Sequence, residues 1–134
     1  MYSNQRGPFM VKAPSKSILL VEDESSVREV LKRKLIQSGF KTTVAEDGQE
    51  AMVSLDHNIP SLILLDVIMP RMNGFDFLER IRADIRYRDI PVIIISNLEG
   101  DNDRTTGKNL GITDYVVKSN VSLRELMALI RQVV

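Results

Sequence analysis

The chain has 134 residues, of which 43% are hydrophobic and 27% are charged, a composition typical of one globular domain with a substantial core. Its 18 basic and 18 acidic residues cancel, so there is no bulk electrostatic case for direct binding to nucleic acid or to an anionic membrane. It contains no cysteine and one histidine, His57, which excludes thiolate chemistry and disfavours sites built on several imidazoles.

Residues 1–16 are largely polar, include two prolines and one glycine, and show no hydrophobic period. They predict a flexible N-terminal tail in front of a single domain at residues 17–134. No segment has the length of a transmembrane span and no signal peptide is recognisable, so the expected location is the cytoplasm.

The first predicted strand is the apolar run at residues 18–21, which is followed directly by Glu22 and Asp23. A helix is expected from Ser25, and Gly39 is placed to end it in the left-handed conformation. Its buried face is predicted from apolar residues that recur every fourth position, namely Val27, Leu31 and Leu35.

Residues 41–46 alternate in polarity and predict a second, more exposed strand at the edge of a sheet. Asp47 and Glu50 form a capping pair for the second helix. The third strand is the run at residues 62–65, whose uninterrupted apolar character is typical of burial on both faces. It ends at Asp66, which either points into a site or merely caps the following loop.

The second half of the chain continues the alternation of helices and strands. A third helix is predicted from Phe77, Leu78, Ile81 and Ile85, and a β-branched strand at residues 92–95 ends at Ser96. The polar segment at residues 99–109 predicts a short, weakly held helix that Gly111 ends. A last strand at 115–117 ends at Lys118, and Ser122 with Glu125 caps a final helix, whose predicted inward residues are Leu123, Leu126, Met127 and Ile130.

Five strands alternating with five helices predict an α/β fold, because short connections of this kind make the strands parallel. Parallel strands place their carboxyl ends at one edge of the sheet. Four of the five predicted strands end there in side chains capable of chemistry, namely Glu22 and Asp23, Asp66, Ser96 and Lys118.

Three neighbouring carboxylates repel one another unless cations join them, and Lys118 supplies only one positive charge. A hard divalent ion such as Mg²⁺ suits oxygen ligands of this kind and would neutralise a transferring phosphoryl group. Asp66 could then be a nucleophile that forms an acyl phosphate, with Ser96 and Lys118 binding the phosphoryl oxygens.

With these motifs, the chain from about Ser17 to its C-terminus resembles the receiver domains of two-component response regulators, in particular the single-domain chemotaxis type. The resemblance implies a flavodoxin-like (βα)5 three-layer sandwich with a five-stranded parallel sheet in the order 2-1-3-4-5. It also implies a phosphorylated signalling domain and not an enzyme in the usual sense.

By the same resemblance, Asp66 accepts phosphate from a histidine kinase or a phosphotransfer protein. Mg²⁺ is held by Asp23, Asp66 and the backbone carbonyl of Ile68, with Glu22 acting through water. Lys118 pairs with the phosphoryl group, while Ser96 and Tyr115 form a switch that changes the surface of the fourth helix, last strand and last helix. That surface would bind a downstream protein that the sequence does not identify.

The chain departs from the family pattern at several positions. Ser119 follows Lys118, where the family usually has a proline in a cis bond; a cis Lys-Ser bond would cost about 3 kcal/mol, so the bond is either held by the fold or trans. Asn97 replaces a small alanine beside Ser96. Ile68 and Leu98 are apolar and cannot orient a water molecule, which predicts slow loss of the phosphoryl group.

Three other functions compete with this interpretation. A phosphatase with an aspartyl phosphate intermediate needs a second aspartate at the position of Ile68, and a nucleotide-binding enzyme needs a glycine-rich loop after the first strand; neither is present. A receiver-like interaction module that is never phosphorylated remains open. Because the chain ends just after the fifth predicted helix, it is expected to be either a stand-alone regulator or a receiver cut from a longer protein.

Overall fold

The computed structural model of the protein describes residues 16–69, 72–97 and 101–134. Five strands alternate with five helices, and a short 3₁₀ turn at Lys118–Asn120 precedes the last helix. The elements are β1 (Ser17–Val21), α1 (Ser25–Gln37), β2 (Lys41–Ala45), α2 (Gly48–His57), β3 (Leu62–Leu65), α3 (Gly74–Ala83), β4 (Val92–Ser96), α4 (Asp101–Asn109), β5 (Asp114–Val117) and α5 (Leu123–Val133).

All strands are parallel and form one sheet in the order β2-β1-β3-β4-β5, which confirms the expected fold and strand order. The polar, alternating strand β2 lies at the edge, as its sequence predicted. The fully apolar β3 lies at the centre and is buried along its whole length. Because β1 and β3 are neighbours, the acids that follow them leave the sheet side by side.

Side chains of successive strand residues enter two separate cores, one on each face of the sheet. In β1, Leu19 and Val21 pack with the cluster that includes residues of α2 and α3, whereas Ile18 and Leu20 pack with the cluster of α1 and α5. The result is the predicted three-layer sandwich. No helix among the described residues is long and apolar enough to cross a membrane.

Most of the predicted helix ends are confirmed. Gly39 has φ of +96° and Gly111 has φ of +73°, the left-handed conformation that glycine adopts without strain. Asp47 caps α2 by accepting a hydrogen bond from the backbone N–H of Glu50 at 2.9 Å. Ser122 and Glu125 form the complete reciprocal capping box at the start of α5.

Helix α1 begins at Ser25, as predicted; its N-cap residue is Glu24, whose side chain makes no capping hydrogen bond. Two local predictions were wrong. Helix α3 stops at Ala83 because the Asp84 carboxylate accepts a bond from the N–H of Arg86, a local turn that leaves Ile85 75% exposed. Leu123 is the first residue of α5 and remains 38% exposed, since the helix reaches the core only from Leu126.

Helix α4 packs closely against the residues that follow it through Gly107. Gly107 is its one buried residue among those described, and a Cβ there would lie 2.8 Å from the Cδ1 of Ile112.

The chain just after the helix is held by Arg82 of α3, whose guanidinium joins the loops before β4 and β5. It donates to the backbone carbonyls of Leu110 (2.8 Å), Gly111 (3.3 Å), Arg88 (3.0 Å) and Ile90 (3.0 Å).

The predicted tail falls almost entirely outside the described residues, which include only the exposed Lys16 from it. Leu98, one of the two apolar departures from the family pattern, also lies outside them. His57 is the last residue of α2 and is exposed.

Candidate functional site

Three carboxylates that are distant in the sequence meet at the carboxyl edge of the sheet. Glu22 and Asp23 follow β1, and Asp66 follows the adjacent β3. Each offers one oxygen, and these oxygens all lie within 4.8 Å of one another. The backbone N–H of Asp66 donates to the carbonyl of Val21 at 3.0 Å, so the sheet ladder itself sets the spacing between the two strand ends.

Lys118 brings the positive charge to these acids. It follows β5, and its ammonium nitrogen lies 2.6 Å from Oε1 of Glu22 and 3.3 Å from Oδ2 of Asp66. The lysine therefore contacts both carboxylates, but the shorter contact is with Glu22, to which the sequence reasoning had assigned only an indirect role. The Lys118–Ser119 bond is trans, since no cis peptide bond occurs in the described part of the chain.

The environment of Glu22 disfavours its charge. Its side chain is completely buried, and burial together with the charge of Asp66 raises the pKa of Glu22 to about 7, although the hydrogen bond from Lys118 acts in the opposite direction. Burial alone would lower the pKa of Lys118, but the hydrogen bond to Glu22 and the negative charge of Asp66 raise it overall. The cluster thus has more negative charge than one lysine can balance.

The Asp66 carboxylate is held from two sides. Its Oδ1 accepts a hydrogen bond from the backbone N–H of Ile68 at 3.2 Å, while Oδ2 receives the contact from Lys118. Ile68 itself is 56% exposed. Asp66 itself is 5% exposed, so its carboxylate is shielded yet close to solvent.

Gly74 makes this loop possible. Its N–H donates to the carbonyl of Val67 at 3.0 Å, and a Cβ at this position would lie 2.4 Å from the backbone oxygen of Asp66. Any larger residue would therefore displace the backbone that carries the acid. The sequence analysis did not identify this role; a glycine eight residues after a strand-end acid was the available signal.

Ser96 and Tyr115 lie on the neighbouring strands β4 and β5. Both are buried, and their hydroxyl groups share a hydrogen bond. Burial raises the pKa of Tyr115, and the hydrogen bond from Ser96 partly offsets this rise. Arg104 of α4 stacks on the tyrosine ring with its guanidinium carbon 5.0 Å from the ring centre, so the pair connects the strand ends to that helix.

Arg28 was missed by the sequence reasoning. This residue of α1 donates from Nη1 to the backbone carbonyls of Glu22 at 2.9 Å and of Asp23 at 3.2 Å. A positive charge in the first turns of a helix interacts unfavourably with the helix dipole, so a basic residue there needs another reason. The position of Arg28 shortly after three consecutive acids was the sequence signal for its role.

The donor set fits a magnesium ion. All three side chains offer oxygen, the preferred ligand of Mg²⁺, and the local excess of negative charge would be relieved by a divalent cation. When bound, Mg²⁺ would supply the positive charge that Lys118 alone does not provide to these carboxylates.

The sequence matches the response regulator receiver domain family over residues 18–131. It is 39% identical over 116 residues to a probable transcriptional regulator, ycf27, of Guillardia theta, covering 87% of this chain and 44% of that protein. The chain therefore spans less than half the length of this relative.

Solved structures agree in fold. The chemotaxis protein CheY4 of Vibrio cholerae superposes with a TM-score of 0.84 at 26% identity, covering 90% of this chain and 100% of that one. The phosphorylated cyanobacterial phytochrome response regulator RcpA gives a TM-score of 0.78 at 28% identity, covering 90% and 91%.

Proposed function

The chain belongs to the family of response regulator receiver domains of two-component systems, and on that premise we propose that Asp66 is its phosphoacceptor in a reaction that depends on Mg²⁺. One observation carries the proposal: Lys118 contacts Asp66 and Glu22, and the oxygens of Glu22, Asp23 and Asp66 lie within 4.8 Å of one another. The similar RcpA has been solved in a phosphorylated form, which supports the same chemistry here.

In the proposed reaction, a carboxylate oxygen of Asp66 attacks the phosphorus atom of a phosphohistidine on a kinase or phosphotransfer protein. The P–N bond breaks, its electron pair stays on the imidazole nitrogen, and that nitrogen takes up a proton. An O–P bond forms at the same time, which leaves an acyl phosphate on Asp66. The chain thus promotes its own modification and does not turn over a separate substrate.

The neighbouring residues have separate roles in this proposal. Asp23, Asp66 and the backbone carbonyl of Ile68 would hold Mg²⁺, and Glu22 would act on the ion through water. Lys118 already lies 3.3 Å from Oδ2 of Asp66 and would turn from Glu22 towards the new phosphoryl oxygens. Such a contact neutralises charge where it develops, which is the main source of rate enhancement in phosphoryl transfer.

Ser96 and Tyr115 form the proposed switch. A phosphoryl group on Asp66 offers new acceptors to the Ser96 hydroxyl, which is at present bonded to Tyr115. A change in that bond would move the tyrosine and Arg104, which stacks on it, and so alter the surface of α4, β5 and α5. Transcriptional regulators among the relatives suggest a downstream effect on gene expression, exerted through a partner or a further domain.

Incubation with acetyl phosphate and Mg²⁺, followed by intact-mass measurement, tests the proposal. We expect the mass of one phosphoryl group to be added to the wild type and to Asp76→Asn, a matched change at an exposed site on α3. The Asp66→Asn variant and wild type in EDTA should gain none. No gain on the wild type would favour the alternative of an interaction module that is never phosphorylated.

A further inference from the structure

The acids that follow β1 are anchored through their backbone by a single arginine. Nη1 of Arg28 donates to the carbonyls of both Glu22 and Asp23, at 2.9 Å and 3.2 Å. Its side chain is 15% exposed; the bond to Glu22 is partly buried, and the bond to Asp23 is exposed. Hydrogen bonds from a charged donor are the stronger kind, and the planar guanidinium fixes their direction.

This loop needs an anchor because its local sequence opposes an ordered arrangement. Glu22, Asp23 and Glu24 are consecutive acids, and like charges at this spacing repel one another. Glu24 is the N-cap residue of α1 but makes no side-chain capping bond. Its backbone N–H donates to the Glu22 carboxylate at 3.2 Å, a bond that offsets only part of this repulsion.

Arg28 contacts Glu22 and Asp23 through their backbone carbonyls. Two peptide planes are thereby fixed, and they determine where the side chains of Glu22 and Asp23 leave the backbone. The other contact of the guanidinium is weaker: Nη2 lies 4.0 Å from Oε2 of Glu46, a side chain that is 58% exposed. Exposed ion pairs of this length contribute little, so the carbonyl bonds dominate.

We propose that Arg28 is a positioning residue for the cation site: by fixing the backbone of Glu22 and Asp23, it holds their carboxylates close to Asp66 before the ion arrives. This inference rests on the proposed Mg²⁺ site. Residues that orient metal ligands without touching the metal commonly change metal affinity by about 10- to 100-fold when they are removed. We expect Arg28→Ala to weaken Mg²⁺ binding by about tenfold.

The test is a Mg²⁺ titration of the full chain, followed by amide chemical shifts, for wild type, Arg28→Ala, Arg28→Lys and Arg33→Ala. Arg33→Ala removes the same charge from an exposed position of α1 and should bind Mg²⁺ as the wild type does. Lysine keeps the positive charge but lacks the planar guanidinium that fixes the direction of the two bonds. Arg28→Lys should therefore recover less than half of the lost Mg²⁺ affinity on a logarithmic scale. Urea unfolding in EDTA verifies that each variant is folded.

Several results would overturn the inference. Affinity of Arg28→Ala within twofold of the wild type would remove the positioning role while leaving the Mg²⁺ site itself intact. Equal weakening in Arg33→Ala, or full recovery in Arg28→Lys, would mean that only the positive charge matters. Absence of Mg²⁺ binding by the wild type would refute the proposed function, and the role of Arg28 with it.

Discussion

The buried charge of Glu22 makes a specific prediction about stability without metal. Ionisation of this group is disfavoured in the folded protein, because its pKa rises from 4.5 to about 7 through burial and the charge of Asp66. One pKa unit corresponds to about 1.4 kcal/mol, so the ionised form costs the folded state roughly 3 kcal/mol at high pH. We therefore expect Glu22→Gln to stabilise the metal-free protein.

The direction of the pH dependence follows from proton linkage. Between about pH 4.5 and pH 7 the folded protein binds more protons at Glu22 than the unfolded chain does, so the free energy of unfolding falls as the pH rises through this window. Below the window the stabilisation is fully present, and above it the loss is complete. Glutamine remains neutral and keeps an oxygen that can accept from Lys118, so the variant should lose this slope.

The assay is urea unfolding followed by circular dichroism in EDTA at pH 5 and pH 8. We expect Glu22→Gln to exceed the wild type by about 1–3 kcal/mol at pH 8 and to differ little at pH 5. The control is Glu29→Gln, which removes an equal charge from an exposed position of α1. If Glu22→Gln were no more stable than the wild type at pH 8, the reasoning that the acids are under-neutralised would be wrong.

Three further changes test other contacts. Gly74→Ala places a Cβ against the backbone oxygen of Asp66, so we expect a loss of more than about 1 kcal/mol in urea unfolding and slower phosphorylation by acetyl phosphate; an unchanged rate would contradict the close approach. Arg82→Ala removes the donor to four backbone carbonyls, so we expect the free energy of unfolding to fall by about 2–4 kcal/mol and amide exchange after α4 to become faster. The control Arg80→Ala, at an exposed position of the same helix, should change neither quantity. Ile68→Asn introduces a side chain that can orient water, so a phosphoryl label on Asp66 should be lost faster at neutral pH; rapid loss from the wild type that this substitution leaves unchanged would count against slow self-dephosphorylation.

The alternation of strands and helices could be predicted because its signals are local. Buried strands show as apolar runs, and Gly39, Asp47 and Ser122 specify helix ends through their own backbone and side-chain bonds. Predictions failed where a local bond competed with periodicity. At Asp84 a side-chain turn ended α3 before the apolar Ile85, which periodicity alone had included.

Which acids reach the same edge of the sheet follows from the order of residues alone, because parallel strands align their carboxyl ends whatever their separation along the chain. The contacts among these acids and their neighbours depend on how the folded elements pack. Lys118 lies nearer Glu22 than Asp66, Arg28 holds carbonyls, and Gly74 admits a close backbone approach. These depend on differences of an ångström or less between groups from separate elements, and no pattern along one strand or helix encodes such distances.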